Sequence, residues 1–89
     1  MAYNLANNFT YHPPDKEDTR FYQSLRGWAM WLAENIVAAC PESRERSLAL
    51  TKLEECVMWT NAARARYTRE GEPKIKETIK KILKESNND

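Results

Sequence analysis

The chain has 89 residues, 42% of them hydrophobic and 30% charged, and 14 Lys and Arg against 13 Asp and Glu leave a formal net charge of +1. One domain of this size has a thin core of its own, so a supplement such as self-association is expected. A general DNA or RNA binder spreads an excess of Lys and Arg over its surface, so the near-zero charge argues against one and makes any anion site local; with no apolar run of membrane-spanning length and no secretory leader, a cytoplasmic protein is expected.

Residues 1–14 show little periodicity and hold the pair Asn7-Asn8, and Pro13-Pro14 favours extended backbone, which predicts an N-terminal arm. Tyr3, Phe9 and Tyr11 in that arm need a surface to lie on. Asp15 predicts an N-cap, with Glu17 and Asp18 favourable against the positive end of the helix dipole. The first long helix is predicted over 16–39. Phe21, Leu25, Trp28, Ala29, Leu32, Ile36 and Ala39 fall within about 100° of one another at helical spacing, a core stripe, while Trp31 stands apart. Gly27 lies inside this helix, where glycine costs about 1 kcal/mol relative to alanine; a close helix crossing and a neutral exposed position both account for it.

Pro41 pushes the residue before it out of the α region and Ser43 is a good N-cap, so a turn over 40–43 joins two antiparallel helices. The second helix is predicted from Ser43 to Tyr67, with Gly71 as its C-terminal stop and Pro73 beyond. Ala49, Leu53, Cys56, Val57, Thr60, Ala63 and Tyr67 share one stripe; Leu48, Met58, Trp59 and Ala62 lie away from it. Hairpin register sets Cys56 level with Trp28 and Ala63 level with Phe21. Cys40 at the turn is then about 18 Å from Cys56 along the helix, beyond the roughly 7 Å a disulfide spans, so both are expected as small core residues in a reducing compartment. After Gly71, Ile75, Ile79, Ile82 and Leu83 recur at helical spacing among lysines, a short helix that must dock on something, and residues 86–89 should fray. The expected fold is all-α: an arm (1–14), an antiparallel helical hairpin (15–70), and a short C-terminal helix and tail (71–89). One hairpin leaves apolar patches around Trp31 and Trp59 uncovered, which predicts a further partner surface, and a homo-oligomer would supply it.

Catalytic constellations are not indicated. His12 is the single histidine, neither cysteine sits in a CxxC or Cys/His arrangement, no Gly-rich phosphate loop is present, and Glu54 and Glu55 are adjacent on a helix and point apart. No metal or cofactor is expected. The open end of the hairpin gathers Arg20, Tyr22, Arg26, Arg64, Arg66, Tyr67 and Arg69 near the arm that carries Tyr11 and His12. Aromatic plates and cationic donors are what a nucleotide needs, at about 1–3 kcal/mol per stacked base. Tyr11 and Arg26 are the right types, although a packing tyrosine and a solvated arginine are equally served by the same residues.

The run SRERSLALTKLEE followed by VMW, NAA and AR, with FTYHPP at 9–14, resembles the helical hairpin domain of phage cyclic-nucleotide sponges, small proteins that block CBASS immunity. The resemblance covers roughly residues 8–66, and the segment after Gly71 lies outside it. It implies a phage-encoded homohexamer in the host bacterial cytoplasm that binds cyclic dinucleotides such as cyclic GMP-AMP and cyclic trinucleotides such as cyclic triadenylate without cleaving them. It also implies that Tyr11, with His12 beside it, stacks on a base of the dinucleotide and that Arg26 meets its phosphates. Well-known members carry lysine at that second position; the arginine keeps the charge with a forked geometry. A separate trinucleotide pocket is carried over to Asn61 and Arg66. Two alternatives stand beside this: a protein-interaction module docking through Trp31 and Trp59, and a sponge for cyclic ADP-ribose-type signals of Thoeris systems, because a related sponge family shares the hairpin.

Overall fold

A computed structural model of the protein describes residues 4–75. Three helices follow in order, α1 (Leu5–Phe9), α2 (Lys16–Ala39) and α3 (Arg44–Arg66), and among the described residues there is no strand. The long pair forms the antiparallel hairpin, with its turn where Pro41 and Ser43 demand it. Asp15 caps α2 through a capping box: its carboxylate accepts from the Asp18 N–H at 2.7 Å, and the Asp18 carboxylate accepts from the Asp15 N–H at 3.2 Å. Ser43 caps α3 by accepting from the Arg46 N–H at 3.1 Å. α2 has no basic residue in its last turn. Arg46 of α3 supplies the cation instead, its guanidinium reaching the Cys40 carbonyl at 3.2 Å and the Val37 carbonyl at 3.5 Å.

The seam between α2 and α3 is narrower than the periodicity indicates. Leu25, Ala29, Ala33 and Ile36 on one helix and Leu50, Leu53 and Val57 on the other are half-buried, a spacing of threes and fours. Trp28 is 63% and Leu32 42% exposed, and Ala39, Ala49, Cys56 and Ala63 are also exposed, which corrects the expected stripes. The small Ala29 and Ala33 take the inner positions, and the bulkier Trp28 and Leu32 are left outside. Cys40 and Cys56 are likewise exposed free thiols in the single chain rather than core residues. Nothing lies within 4 Å of a Cβ placed on Gly27, so within one chain it marks no helix crossing.

Two further corrections concern the ends. The arm is not wholly extended: Asn4 caps α1 by accepting from the Asn7 N–H at 2.9 Å. α3 ends at Arg66, and Gly71 serves a turn rather than the helix stop, with φ of 88°. In that turn the Thr68 N–H donates to the Glu72 carbonyl at 2.8 Å and the Gly71 N–H to the Thr68 carbonyl at 2.9 Å. The chain then runs back antiparallel, Tyr67 opposite Pro73, with the Lys74 N–H on the Arg66 carbonyl at 2.8 Å. The rest of the expected C-terminal helix and the fraying at 86–89 lie outside the described residues.

Among the described residues no hydrophobic side chain is buried. The two buried side chains are polar, Asn7 at 0% and Asp18 at 4% exposure, and both sit at the open end of the hairpin.

Candidate functional site

At that open end the arm, α2 and α3 enclose an open cleft of about 440 Å³. The arm contributes Asn8, Thr10, Tyr11, His12 and Pro14; α2 contributes Tyr22 and Arg26, one turn apart on one face; α3 contributes Asn61, Ala62, Ala65 and Arg66 from a single face. Ala62 and Ala65 keep the α3 wall low. All five residues expected at ligand sites, Tyr11, His12, Arg26, Asn61 and Arg66, line this one cleft, although the resemblance assigns them to two pockets. Arg20 borders a different hollow beside Pro14 and Lys16. Arg64, Tyr67 and Arg69 are not on the walls.

The Tyr11 ring is 76% exposed, so its face is open to a stacking partner. Arg26 is exposed, and among the described residues it makes no hydrogen bond or ion pair, leaving five N–H donors for an anion. Tyr22 is half-buried behind them. Burial, and after it the Asp18 carboxylate, push its phenol above the ordinary value of 10.0 and keep it a neutral donor. His12 places Nε2 2.7 Å from the Asn7 carbonyl. A carbonyl only accepts, so Nε2 carries the proton that makes this bond, and Nδ1 is the ring atom turned away from it. His12 Nδ1, Asn8 Oδ1 and Asn61 Oδ1 are all buried without a hydrogen-bond partner among the described residues. Orphaned polar atoms are few in native structures, and three of them belong to residues of this cleft.

Behind the cleft, Asp18 is a charge hub that sequence reasoning saw only as a first-turn acid. Its Oδ1 lies 3.0 Å from Arg64 Nε, and its Oδ2 lies 3.4 Å from Lys74 Nζ. The Arg64 N–H points off the line of a hydrogen bond, so the contact is a Coulombic pair rather than a directed bond. The same guanidinium lies 4.9 Å above the centre of the Phe21 ring, a cation–π contact. Arg64 therefore belongs to the fold and not to the cleft lining. Asp15 feels the same cluster: the Asp18 N–H on its carboxylate is the largest effect and holds it below the ordinary value of 3.8; burial, next in size, opposes it, and Lys74, the Asp18 side chain and Arg64 add to the lowering.

Among the described residues no group of three or more His, Cys, Asp or Glu could hold a metal ion, and no helix is long and apolar enough to cross a membrane. No curated protein and no solved structure gives a significant match to the chain. The family model described as the Acb2/Tad1 hairpin domain matches residues 1–65, from the arm through α2 and all but the last residue of α3.

Proposed function

The chain belongs to the Acb2/Tad1 hairpin-domain family, and on that premise we propose that it is a phage-encoded sponge that binds cyclic di- and trinucleotide second messengers intact and keeps them from CBASS effectors in the host cytoplasm. The observation that carries this reading is the cleft, whose lining brings the exposed Tyr11 together with Arg26 and Arg66. Tyr11 stacks on a base and Arg26 binds phosphate. His12, Asn61 and the phenol of Tyr22 add hydrogen-bonding groups around the ligand. One cleft holds both sets of expected residues, so di- and trinucleotides compete for overlapping walls unless another copy separates them.

The working state is a homo-oligomer, for which a hexamer is the expected form. One observation above all supports association: no hydrophobic side chain is buried among the described residues. Trp28, Trp31 and Trp59 are each more than 60% exposed, and Met30, Val37 and Met58 line an open apolar groove on the hairpin. Arg26 borders this groove as well as the cleft, so a copy seated there sits beside the ligand.

Sequestration acts by mass action, and nanomolar affinity corresponds to about −12 kcal/mol. Isothermal titration with cyclic GMP-AMP and with cyclic triadenylate tests the proposal; heat with either supports it, and silence with both removes it. The exposed tryptophans also favour the protein-interaction module. That reading predicts a heteromeric partner in a pull-down whose capture is unchanged by Tyr11→Ala. A cyclic ADP-ribose-type ligand shares the phosphate and base chemistry, and its competition against cyclic GMP-AMP decides between them.

A further inference from the structure

Asn7 is the most buried side chain described, in a chain whose apolar residues stay half in water. A carboxamide in that position is held by hydrogen bonds rather than by burial of carbon, and each of its polar groups has a partner. Its N–H donates to Asn4 Oδ1 at 2.9 Å, Nδ2 donates to the Arg66 carbonyl at 2.9 Å, and Oδ1 accepts from the Ile75 N–H at 3.3 Å. Its carbonyl, freed because α1 stops at Phe9, accepts from His12 Nε2 at 2.7 Å. Sequence separations of 59 and 68 residues are closed by this one side chain.

The three segments that Asn7 joins are the arm, the end of α3 and the return segment after the Gly71 turn. The first two both line the cleft. α1 itself is a single helical turn with Leu5 64% and Phe9 78% exposed, so apolar packing does not fix its position. Among the described residues, both long-range side-chain bonds of the arm are made by Asn7.

We propose that Asn7 is the positioning residue of the cleft, a buried carboxamide that clamps the arm to the end of α3 and so sets Tyr11 and His12 against Arg66. It touches no ligand and acts through those residues, and the proposal rests on the cyclic-nucleotide reading of the same cleft. Loss of the Oδ1 bond leaves the Ile75 N–H without its partner, loss of the Nδ2 bond leaves the Arg66 carbonyl with the Lys74 N–H alone, and either frees the arm to swing about residues 10–14. Asp is the informative isostere. One carboxylate oxygen still accepts from Ile75, while the other confronts the Arg66 carbonyl with no proton between them.

The test compares wild type, Asn7→Ala and Asn7→Asp on the full chain at a temperature well below each melting point. Two readouts are taken: chymotryptic cleavage after Phe9 and Tyr11, which needs no ligand, and titration with cyclic GMP-AMP. Both variants are expected to keep helix content and assembly mass while arm cleavage accelerates about tenfold or more and affinity falls by a similar factor. Arm cleavage at the wild-type rate in helical, assembled variants overturns the proposal, and so does unchanged affinity beside a faster-cleaved arm. If neither variant folds, Ile75→Pro removes the N–H donor to Oδ1 while leaving the Asn7 side chain and its Nδ2 bond in place; it is expected to accelerate cleavage severalfold, and no acceleration overturns the proposal. Failure of wild type to bind cyclic GMP-AMP strikes the sponge reading alone, because the protease readout still decides what Asn7 does.

Discussion

Asp18→Ala is expected to be the most damaging single substitution in the hairpin. The carboxylate holds Arg64 at 3.0 Å and Lys74 at 3.4 Å and accepts from the Asp15 N–H at 3.2 Å. Removing one member of a deeply buried ion pair costs about 3–5 kcal/mol, because the partner charge is left stranded. Here Asp18 is 6% exposed at its side chain but Arg64 is 29% and Lys74 21%, so water recovers part of that penalty. A loss of about 2–3 kcal/mol results. The stability of a chain this long is on the order of 4–13 kcal/mol, so the loss is a large share of it and lowers Tm by about 10–20 °C. Circular dichroism melts and urea titrations at one fixed protein concentration measure it, since association couples to stability. Asp18→Asn adds a second readout. Burial and then the Asp18 charge raise the Tyr22 phenol, so the neutral variant moves its titration part of the way back towards 10.0. Stability within about 0.5 kcal/mol of wild type, with Tyr22 titrating unchanged, refutes the hub.

Tyr11→Ala and Arg26→Ala each weaken cyclic GMP-AMP binding by about 1–3 kcal/mol, with assembly mass unchanged by light scattering; dissociation of the assembly instead makes these residues structural. Arg46→Met leaves the Cys40 and Val37 carbonyls without their cation and lowers stability by about 1 kcal/mol in urea melts. Asp15, whose native pKa is depressed, contributes stability that is present above its ordinary 3.8 and is lost as pH falls through the lower native value; Asp15→Asn flattens that acid limb of the pH–stability curve.

Local signals carried most of what the sequence could tell. Asp15, Pro41 and Ser43 act on neighbours within four residues, and α2 and α3 begin where those residues require. The phase of the helix faces was harder to read. Hydrophobic periodicity weights bulky residues, so it drew Trp28 and Leu32 into the seam, where the close hairpin admits Ala33 beside the expected Ala29. α1 escaped because five residues give no periodicity, although Asn4 three before Asn7 is a capping pattern. Gly71 offered a stop signal that α3 does not use, since Tyr67 turns extended and pairs back across to Pro73. The contacts that build the open end, Asp18 with Arg64 and Asn7 with Arg66 and Ile75, join residues 46 to 68 positions apart. Those were beyond local pattern. The Tyr11 and Arg26 assignments came from the resemblance, because the residue types alone also fit a packed ring and a solvated cation.

Calorimetric titration of the assembled protein with cyclic GMP-AMP, followed by heat denaturation and chromatography of the released ligand, tests the central claim most directly. Saturable binding with the nucleotide recovered whole is the predicted outcome. No heat of binding, or a linearised or hydrolysed product in the supernatant, contradicts a sponge.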